Sequence, residues 1–242
     1  MSPMILAVLQ ARMSSTRLPG KVMADVAGAP MILRQIERLK RARRLDLIAV
    51  ATSTDPSDDG LAAMLALHDI PVHRGPLDDV LARFQGALDA FGPADVLVRL
   101  TADCPLADPQ VVDATVALLL DRGLDYAANT PARRTYPKGL DVEVMRAEPL
   151  LRAAREAKDP YEREHVTPYL YRHPEIFAQD FISQDADEGE MRWTVDRPDD
   201  LEFVRQVYDA LYPANPAFTS EDVRAFVRSR PDLTMFGGDR RI

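Results

Sequence analysis

Through the first half of the chain, short apolar runs rich in β-forming residues alternate with helical runs, and this alternation restricts the fold more than any other feature. Strand-like segments cover residues 5–9, 47–51, 70–73, 96–100 and 126–128. The first helical stretch is GAPMILRQIERLKRA, with Pro30 near its first position and Ile32, Ile36 and Leu39 on one stripe. A second carries Leu61, Met64 and Leu65, a third Val80, Leu81, Phe84, Leu88 and Phe91, and a fourth covers residues 111–120. The run over residues 5–9 is apolar without interruption, as expected for a strand buried on both faces. Strands separated by helices of ten or more residues predict βαβ units, a mostly parallel sheet and a three-layer α/β fold.

The second half is less regular. Residues 141–145 and 176–183 read as strands, the latter after a helix around 161–171, and residues 192–195 are short and β-like. Helices are predicted over 199–212 and 220–230, and the closing GGDRRI reads as a loose tail. The basic stretch RQIERLKRARR, residues 34–44, reads as a solvated helix face. A length of 242 residues suits a single domain, with no repeat, low-complexity segment or linker to divide it.

Composition excludes several classes of function. The apolar fraction of 46% and charged fraction of 28% are those of an ordinary globular protein. No apolar run approaches the ~20 residues of a membrane span. The opening MSPMILAVLQAR lacks a basic region and a small-residue cleavage site, so it reads as a first strand rather than a signal peptide. The lone cysteine, Cys104, excludes an internal disulfide framework and suits a reducing compartment, so a cytoplasmic location is expected. A formal net charge of -8 argues against broad nucleic-acid binding but leaves room for a small basic pocket.

In open α/β sheets, ligands bind beyond the carboxyl ends of the strands. Four polar segments follow strand-like runs here, QARMSSTRLPGK, TSTD, TADCP and DRPDDL, and the topology places them on one rim. The first holds Arg12, Arg17 and Lys21, interspersed with Ser14, Ser15, Thr16 and Gly20. Cations, hydroxyls and a glycine directly after a buried strand suit a polyphosphate, against the simpler reading of a solvated loop with scattered charges. It is no Walker A loop, since Ser15 stands where the first glycine belongs and Val22 replaces the Ser or Thr. Asp103 follows the strand over 96–100. Asp108, followed by Pro109, supplies the cap of the next helix and so leaves Asp103 free. Asp196 is freed in the same way by Asp199, which is better placed to cap the helix after it. A carboxylate beside a phosphate loop is a natural magnesium ligand, because magnesium takes one or two protein carboxylates and fills its shell with phosphate and water. Together, the cationic loop and the two acids form a coherent phosphoryl-transfer site. Cys104 has no evident base beside it and reads as a packing residue. His68, His73 and His173 read as surface or packing residues, and no cluster has zinc spacing.

QARMSSTRLPGK resembles the signature loop of the CMP-sugar synthetases, which activate acylneuraminate and KDO-type acidic sugars. The chain is most similar to the cytidylyltransferase family of spore-coat polysaccharide biosynthesis protein F (SpsF-like). RLTADCPL, TVDRPDDL, YPKGLDVEV and EREHVTPY match further stretches in the same order, over most of the chain. The resemblance implies a nucleotide-diphospho-sugar transferase (GT-A-like) fold with a mostly parallel mixed sheet. It divides the single domain into a nucleotide-binding half over about 1–130, an acceptor-binding mixed region over about 131–190 and C-terminal helices over 197–230. It implies that CMP passes from CTP to an acidic sugar of nonulosonic-acid type, with Mg2+ as cofactor and a second copy of the chain as partner in a homodimer. Neither nucleic acid nor membrane is implied as a partner.

Residue by residue, the resemblance implies that Arg12, Arg17 and Lys21 grip the triphosphate, with Gln10, Ala11 and Thr101 also at the nucleotide. Thr52 and Ser53 fall near the base. Asp103 and Asp196 hold the metal and, with Arg12 and Lys21, form the catalytic set. Lys138, Asp141, Glu143 and His165 fall on the sugar side, with Glu164 and Thr167 in the same stretch as His165. The sialic-acid branch carries Lys-Asn at the end of its loop, whereas Val22 follows Lys21 here, which leaves the sugar open. Three rivals share parts of the pattern. One is a nucleotidyltransferase for another NTP or for a phosphonate, polyol phosphate or hexose phosphate. Another is a GT-A glycosyltransferase, although Asp103-Cys104-Pro105 lacks the second acid of that class. The third is a non-catalytic nucleotide-binding module.

Overall fold

The computed structural model describes residues 3–131 and 133–242. The first half runs β1 (Ile5–Gln10), a small hairpin of β2 (Asp25–Val26) and β3 (Ala29–Pro30), α1 (Met31–Leu39), β4 (Leu47–Ser53), α2 (Asp59–Leu67) and β5 (Val72–Gly75). Then come α3 (Val80–Phe91), β6 (Val96–Thr101), α4 (Pro109–Arg122), β7 (Tyr126–Ala128), β8 (Glu143–Arg146) and α5 (Ala147–Glu156). Two short helices, α6 (Pro160–His165) and α7 (Pro168–Tyr171), precede β9 (Gln179–Phe181). The chain closes with α8 (Pro198–Leu211), α9 (Ser220–Arg228), α10 (Pro231–Thr234) and a hairpin of β10 (Met235–Phe236) and β11 (Asp239–Arg240).

Seven strands form the central sheet in the order β5-β4-β1-β6-β8-β7-β9. β1 pairs in parallel with β4 and β6, and β4 with β5, so the carboxyl ends of these four strands share one rim. β8 runs antiparallel between β6 and β7, which makes the sheet mixed. Because strand side chains alternate between faces, Ile5, Ala7 and Leu9 pack with Ile32, Ile36, Leu61, Leu65, Val112 and Val116 on one side. Leu6 and Val8 pack with Leu81, Phe84 and Leu150 on the other, giving three layers. A third cluster gathers Trp193 and Val195 with Phe203, Val204 and Val227 of the terminal helices. Each fully buried aliphatic or aromatic side chain contributes about 1.5–3 kcal/mol, and emptying the Phe84 position with alanine would cost about 3–5 kcal/mol.

Asp108 caps α4 as expected, accepting from the Gln110 amide at 2.8 Å with Pro109 in the first position. Several other expectations are corrected. α1 stops at Leu39, and the basic stretch is not simply solvated. Arg38 is buried, donates from Nε to the Ala107 carbonyl at 2.9 Å and from Nη1 to the Phe218 carbonyl at 3.0 Å, and stacks on the Phe218 ring. The helix over 161–171 is two helices, because Val166 takes a φ of 73° and Pro168 restricts the residue before it and donates no hydrogen bond.

Residues 192–195 form no strand. Arg192 makes a single bridge with Lys138, and the Trp193 and Val195 amides donate to the Lys138 and Asp103 carbonyls at 2.7 and 2.8 Å, pulling the segment out of any sheet. Asp199 is exposed and does not cap α8. Asp200 folds back instead and accepts from the amides of Asp196 and Arg197, both at 3.0 Å. The tail is anchored: Arg241 is fully buried, its carbonyl accepts from Trp193 Nε1 at 2.8 Å, and its guanidinium meets Asp200 at 2.9 Å. Apart from Ile242, which packs against the third cluster, no apolar residue of the tail marks that anchor, because the group that inserts most deeply is a cation. Among the described residues no helix is long and apolar enough to cross a membrane.

Candidate functional site

The parallel strands deliver the expected segments to one rim. Beyond β1 the chain turns through Arg12 and the hydroxyl-rich loop, and the loop folds on itself where the Ser15 and Gly20 amides both donate to the Met13 carbonyl at 2.9 Å. Gly20 closes the turn with a φ of 73°, a conformation natural to glycine. Asp58 ties the loop to the sheet. It accepts from the Met13 amide at 2.7 Å through one oxygen, and from the Ser53 amide at 3.1 Å and the Ser53 hydroxyl through the other.

The loop ends in Lys21, which is buried and points its ammonium at three acceptors. Nζ lies 2.7 Å from the Val195 carbonyl, 3.0 Å from Asp196 Oδ1 and 3.3 Å from Asp103 Oδ2. The Thr101 hydroxyl donates to the other Asp103 oxygen at 2.6 Å. Arg192 donates to Asp196 Oδ2 at 2.7 Å, and Arg17 forms an ion pair with the same oxygen at 3.0 Å. Burial by itself would raise the Asp196 carboxyl, but the hydrogen bonds from Arg192 and Lys21 outweigh it and hold the group below the usual carboxylate range. Beneath it, Asp200 takes Arg192 and Arg241 together and so fixes the backbone that carries Asp196.

These groups line a cleft of about 560 Å³ whose walls include Gln10, Ala11, Arg12, Arg17, Lys21, Thr101, Asp103 and Asp196. Glu164 and His165 close one side. A second cavity of about 780 Å³ adjoins it and shares Thr101 and His165 with it. Its lining holds Asp141, Glu143, Tyr161, Thr167 and Tyr171. Two arginines face in there, each beside a carboxylate: Arg99 pairs with Glu143 and Arg134 with Asp141, the latter also through Nη2 at 3.1 Å. Glu143 is held further by the Tyr126 hydroxyl at 2.7 Å and the Thr167 hydroxyl at 2.5 Å.

Most of the expected site residues therefore meet around two joined cavities, and three do not. Thr52 and Ser53 are fully buried behind the loop and line neither cavity. Lys138 is exposed and lines neither, its contribution being the backbone pairing with residues 191 and 193. The sequence reading missed Arg83, Arg99 and Arg134. An arginine inside the apolar run VLVRLT is a usable signal for Arg99, whereas nothing local marks Arg83, which sits on a helix turn among core residues. Cys104 is buried, and burial together with the neighbouring Asp103 charge pushes its thiol well up, so it offers no thiolate.

No group of three or more histidine, cysteine or acidic side chains is set to hold a metal among the described residues. Two oxygen-donor carboxylates at a phosphate-sized cleft do fit magnesium, which completes its shell from substrate phosphates and water. Asp103 and Asp196 are the residues that would hold it. Cations, two acids and an adjoining cavity equip the site for phosphoryl transfer between two bound molecules.

The family model described as cytidylyltransferase matches residues 6–227. Spore coat polysaccharide biosynthesis protein SpsF of Bacillus subtilis is 31% identical over 237 residues, covering 94% of this chain and 95% of that protein. The 3-deoxy-manno-octulosonate cytidylyltransferase of Xanthobacter autotrophicus is 31% identical over 192 residues, 72% of this chain and 73% of that one. The solved structure of a cytidylyltransferase from Leptospira borgpetersenii superposes with a TM-score of 0.89 at 28% identity, covering 96% of this chain and 97% of that chain. The mixed seven-stranded sheet and flanking helices are thus the nucleotide-diphospho-sugar transferase type of α/β fold. Since the matched span takes in the phosphate loop, both acids and the adjoining cavity alike, the chain belongs to the cytidylyltransferase family.

Proposed function

We propose that the protein transfers CMP from CTP to a hydroxyl of an acidic, nonulosonic-type sugar in the cytoplasm, supplying an activated sugar for cell-surface polysaccharide. The observation that carries this reading is the junction of the two cavities at Thr101 and His165, with Asp103 on the nucleotide side of it. An acceptor in the second cavity reaches a triphosphate in the first without leaving the protein. The acceptor oxygen bonds to the α-phosphorus, the bond from that phosphorus to its bridging oxygen breaks, pyrophosphate leaves, and the hydroxyl proton passes to water.

Arg12, Arg17 and Lys21 neutralise the phosphates, and positioning together with charge stabilisation carries the rate. Magnesium held by Asp103 and Asp196 would neutralise phosphate charge and polarise the phosphorus. Asp141, Glu143 and His165 orient the acceptor. Support for an acidic acceptor comes from Arg134 and Asp141, which are 22% and 37% exposed, so that a substrate carboxylate can exchange for that of Asp141 on the guanidinium fork. The name of the Xanthobacter relative, whose substrate is an acidic sugar, supports the same class.

The test is pyrophosphate release from CTP and magnesium across a panel of 2-keto-3-deoxy sugar acids, nonulosonic acids, hexose phosphates and polyol phosphates. Release dependent on a sugar acid is expected. Turnover confined to the phosphorylated neutral acceptors would remove the acidic-sugar assignment.

A further inference from the structure

Arg83 lies at the end of the first turn of α3 and is only 2% exposed, yet it lines the nucleotide cleft. Its Nε and Nη1 are buried and find no hydrogen-bond partner among the described residues. Gly75 at the end of β5 allows this placement, since a side chain there would press on Arg83 Cα, Cβ and Cγ at 3.3 Å. The nearby carboxylate, Asp58, is already engaged by Met13 and Ser53. Two other cations of the cleft differ in this respect. Arg17 is paired with Asp196, and Lys21 with Asp196 and Asp103. Arg12 and Arg83 form no ion pair among the described residues, and they are close enough to repel. Burial and the Arg12 charge together lower the proton affinity of Arg83. A buried cation without a counter-ion, beside a second cation, costs stability in the free protein. An uncharged ligand atom would fill its hydrogen bonds but leave the two like charges opposed, whereas an anion removes both costs.

We propose that Arg83 is a nucleotide-binding residue, its guanidinium donating to a phosphate of the bound nucleoside triphosphate alongside Arg12. This rests on the CTP-dependent reading of the same cleft. The phosphate loop is therefore only one side of the phosphate site, and α3 supplies the other. Arg83 acts from beneath, already oriented by its packing, so binding requires little ordering of its side chain.

The experiment uses Arg83→Met, which keeps the unbranched stem and removes the charge, together with Arg83→Lys. Melting of the ligand-free proteins is followed by calorimetric titration with CTP, inorganic tripolyphosphate and cytidine. Arg83→Met should melt at or above the wild-type temperature, bind CTP and tripolyphosphate about 10- to 100-fold more weakly, and bind cytidine as the wild type does. Arg83→Lys should recover part of the tripolyphosphate affinity. The proposal is overturned if Arg83→Met melts well below wild type or fails to fold, which marks a structural cation. It is equally overturned if CTP affinity is unchanged, or if CTP and cytidine weaken by the same factor, which marks a contact to the base or sugar. Wild-type protein that binds no CTP overturns the cytidylyltransferase reading instead, and the tripolyphosphate comparison then still judges Arg83.

Discussion

The Lys21 ammonium lies 3.0 Å from Asp196 Oδ1, although 175 residues separate the two in sequence. With Asp103 at 3.3 Å, it bridges the two acids proposed to hold magnesium, so loop and metal site are set by one contact. Either acid can be removed while Lys21 keeps the other as partner, which makes the single variants informative. Asp103→Ala and Asp196→Ala should each lower kcat/KM by at least ~10²–10³-fold with the fold retained. Steady-state kinetics beside a melting curve checks this, and normal rates in both variants would show the carboxylates to be idle.

Arg12→Lys keeps the charge but loses the planar fork that holds two phosphate oxygens at once. Turnover with CTP should fall by about tenfold or more, by roughly the worth of one charge-assisted hydrogen bond. Arg12 makes no ion pair among the described residues, so the stability of the free protein should stay within ~0.5 kcal/mol. Full retention of turnover would remove Arg12 from the phosphate site.

Asp200 carries the prediction about acid. Burial alone would raise its carboxyl, yet hydrogen bonds from Arg192, the Asp196 amide and Arg241 prevail and hold it well below the usual carboxylate range. Its folded value lies beneath its unfolded value of about 3.9, so its stabilising effect is full above that pH and is lost as pH falls toward the folded value. Melting temperature should therefore decline from about pH 5 downward in the wild type. Asp200→Asn should cost about 3–5 kcal/mol at neutral pH, by leaving Arg192 and Arg241 under-paired, and should show a flatter acid limb. Equal acid slopes in the two proteins would contradict this.

Glu143 lines the acceptor cavity, where Tyr126, Thr167 and Arg99 converge on it. Glu143→Gln leaves Arg99 without its counter-charge and loosens the wall that the acceptor contacts. The KM for the acceptor sugar should rise about tenfold, the effect of losing one charged hydrogen bond. CTP affinity should hold within about twofold, since Glu143 lines the second cavity and not the first. A matching loss of CTP affinity would place Glu143 in the nucleotide site or in the fold alone.

Local periodicity is why the parallel half of the fold was legible. The run from Ile5 to Leu9 and the Ile32, Ile36 and Leu39 stripe each announce their element, and strand polarity then sends Arg12, Lys21 and Asp103 to one rim. What escaped depends on long-range pairing of charges. Arg38, Arg83 and Arg241 are buried cations, which composition and pattern assign to the surface. Pro198 at the first helical position makes Asp200 the third, where a capping box places its acid, and Arg192 and Arg241 then hold Asp200 rather than Asp199. The loose-tail reading failed for the same reason, because an anchor made by a guanidinium has no apolar signature. Arg134 sits in an irregular loop, where position relative to the site follows from tertiary structure alone.

The most direct measurement is thermal stability with CTP, UTP, GTP and ATP, each with and without magnesium. A ligand that binds only the native state adds ~2.7 kcal/mol of stability at a hundred times its dissociation constant. The account predicts a clear upward shift with CTP and magnesium, and smaller shifts with the other three triphosphates. No shift with any triphosphate, or a shift confined to a purine nucleotide, would contradict it.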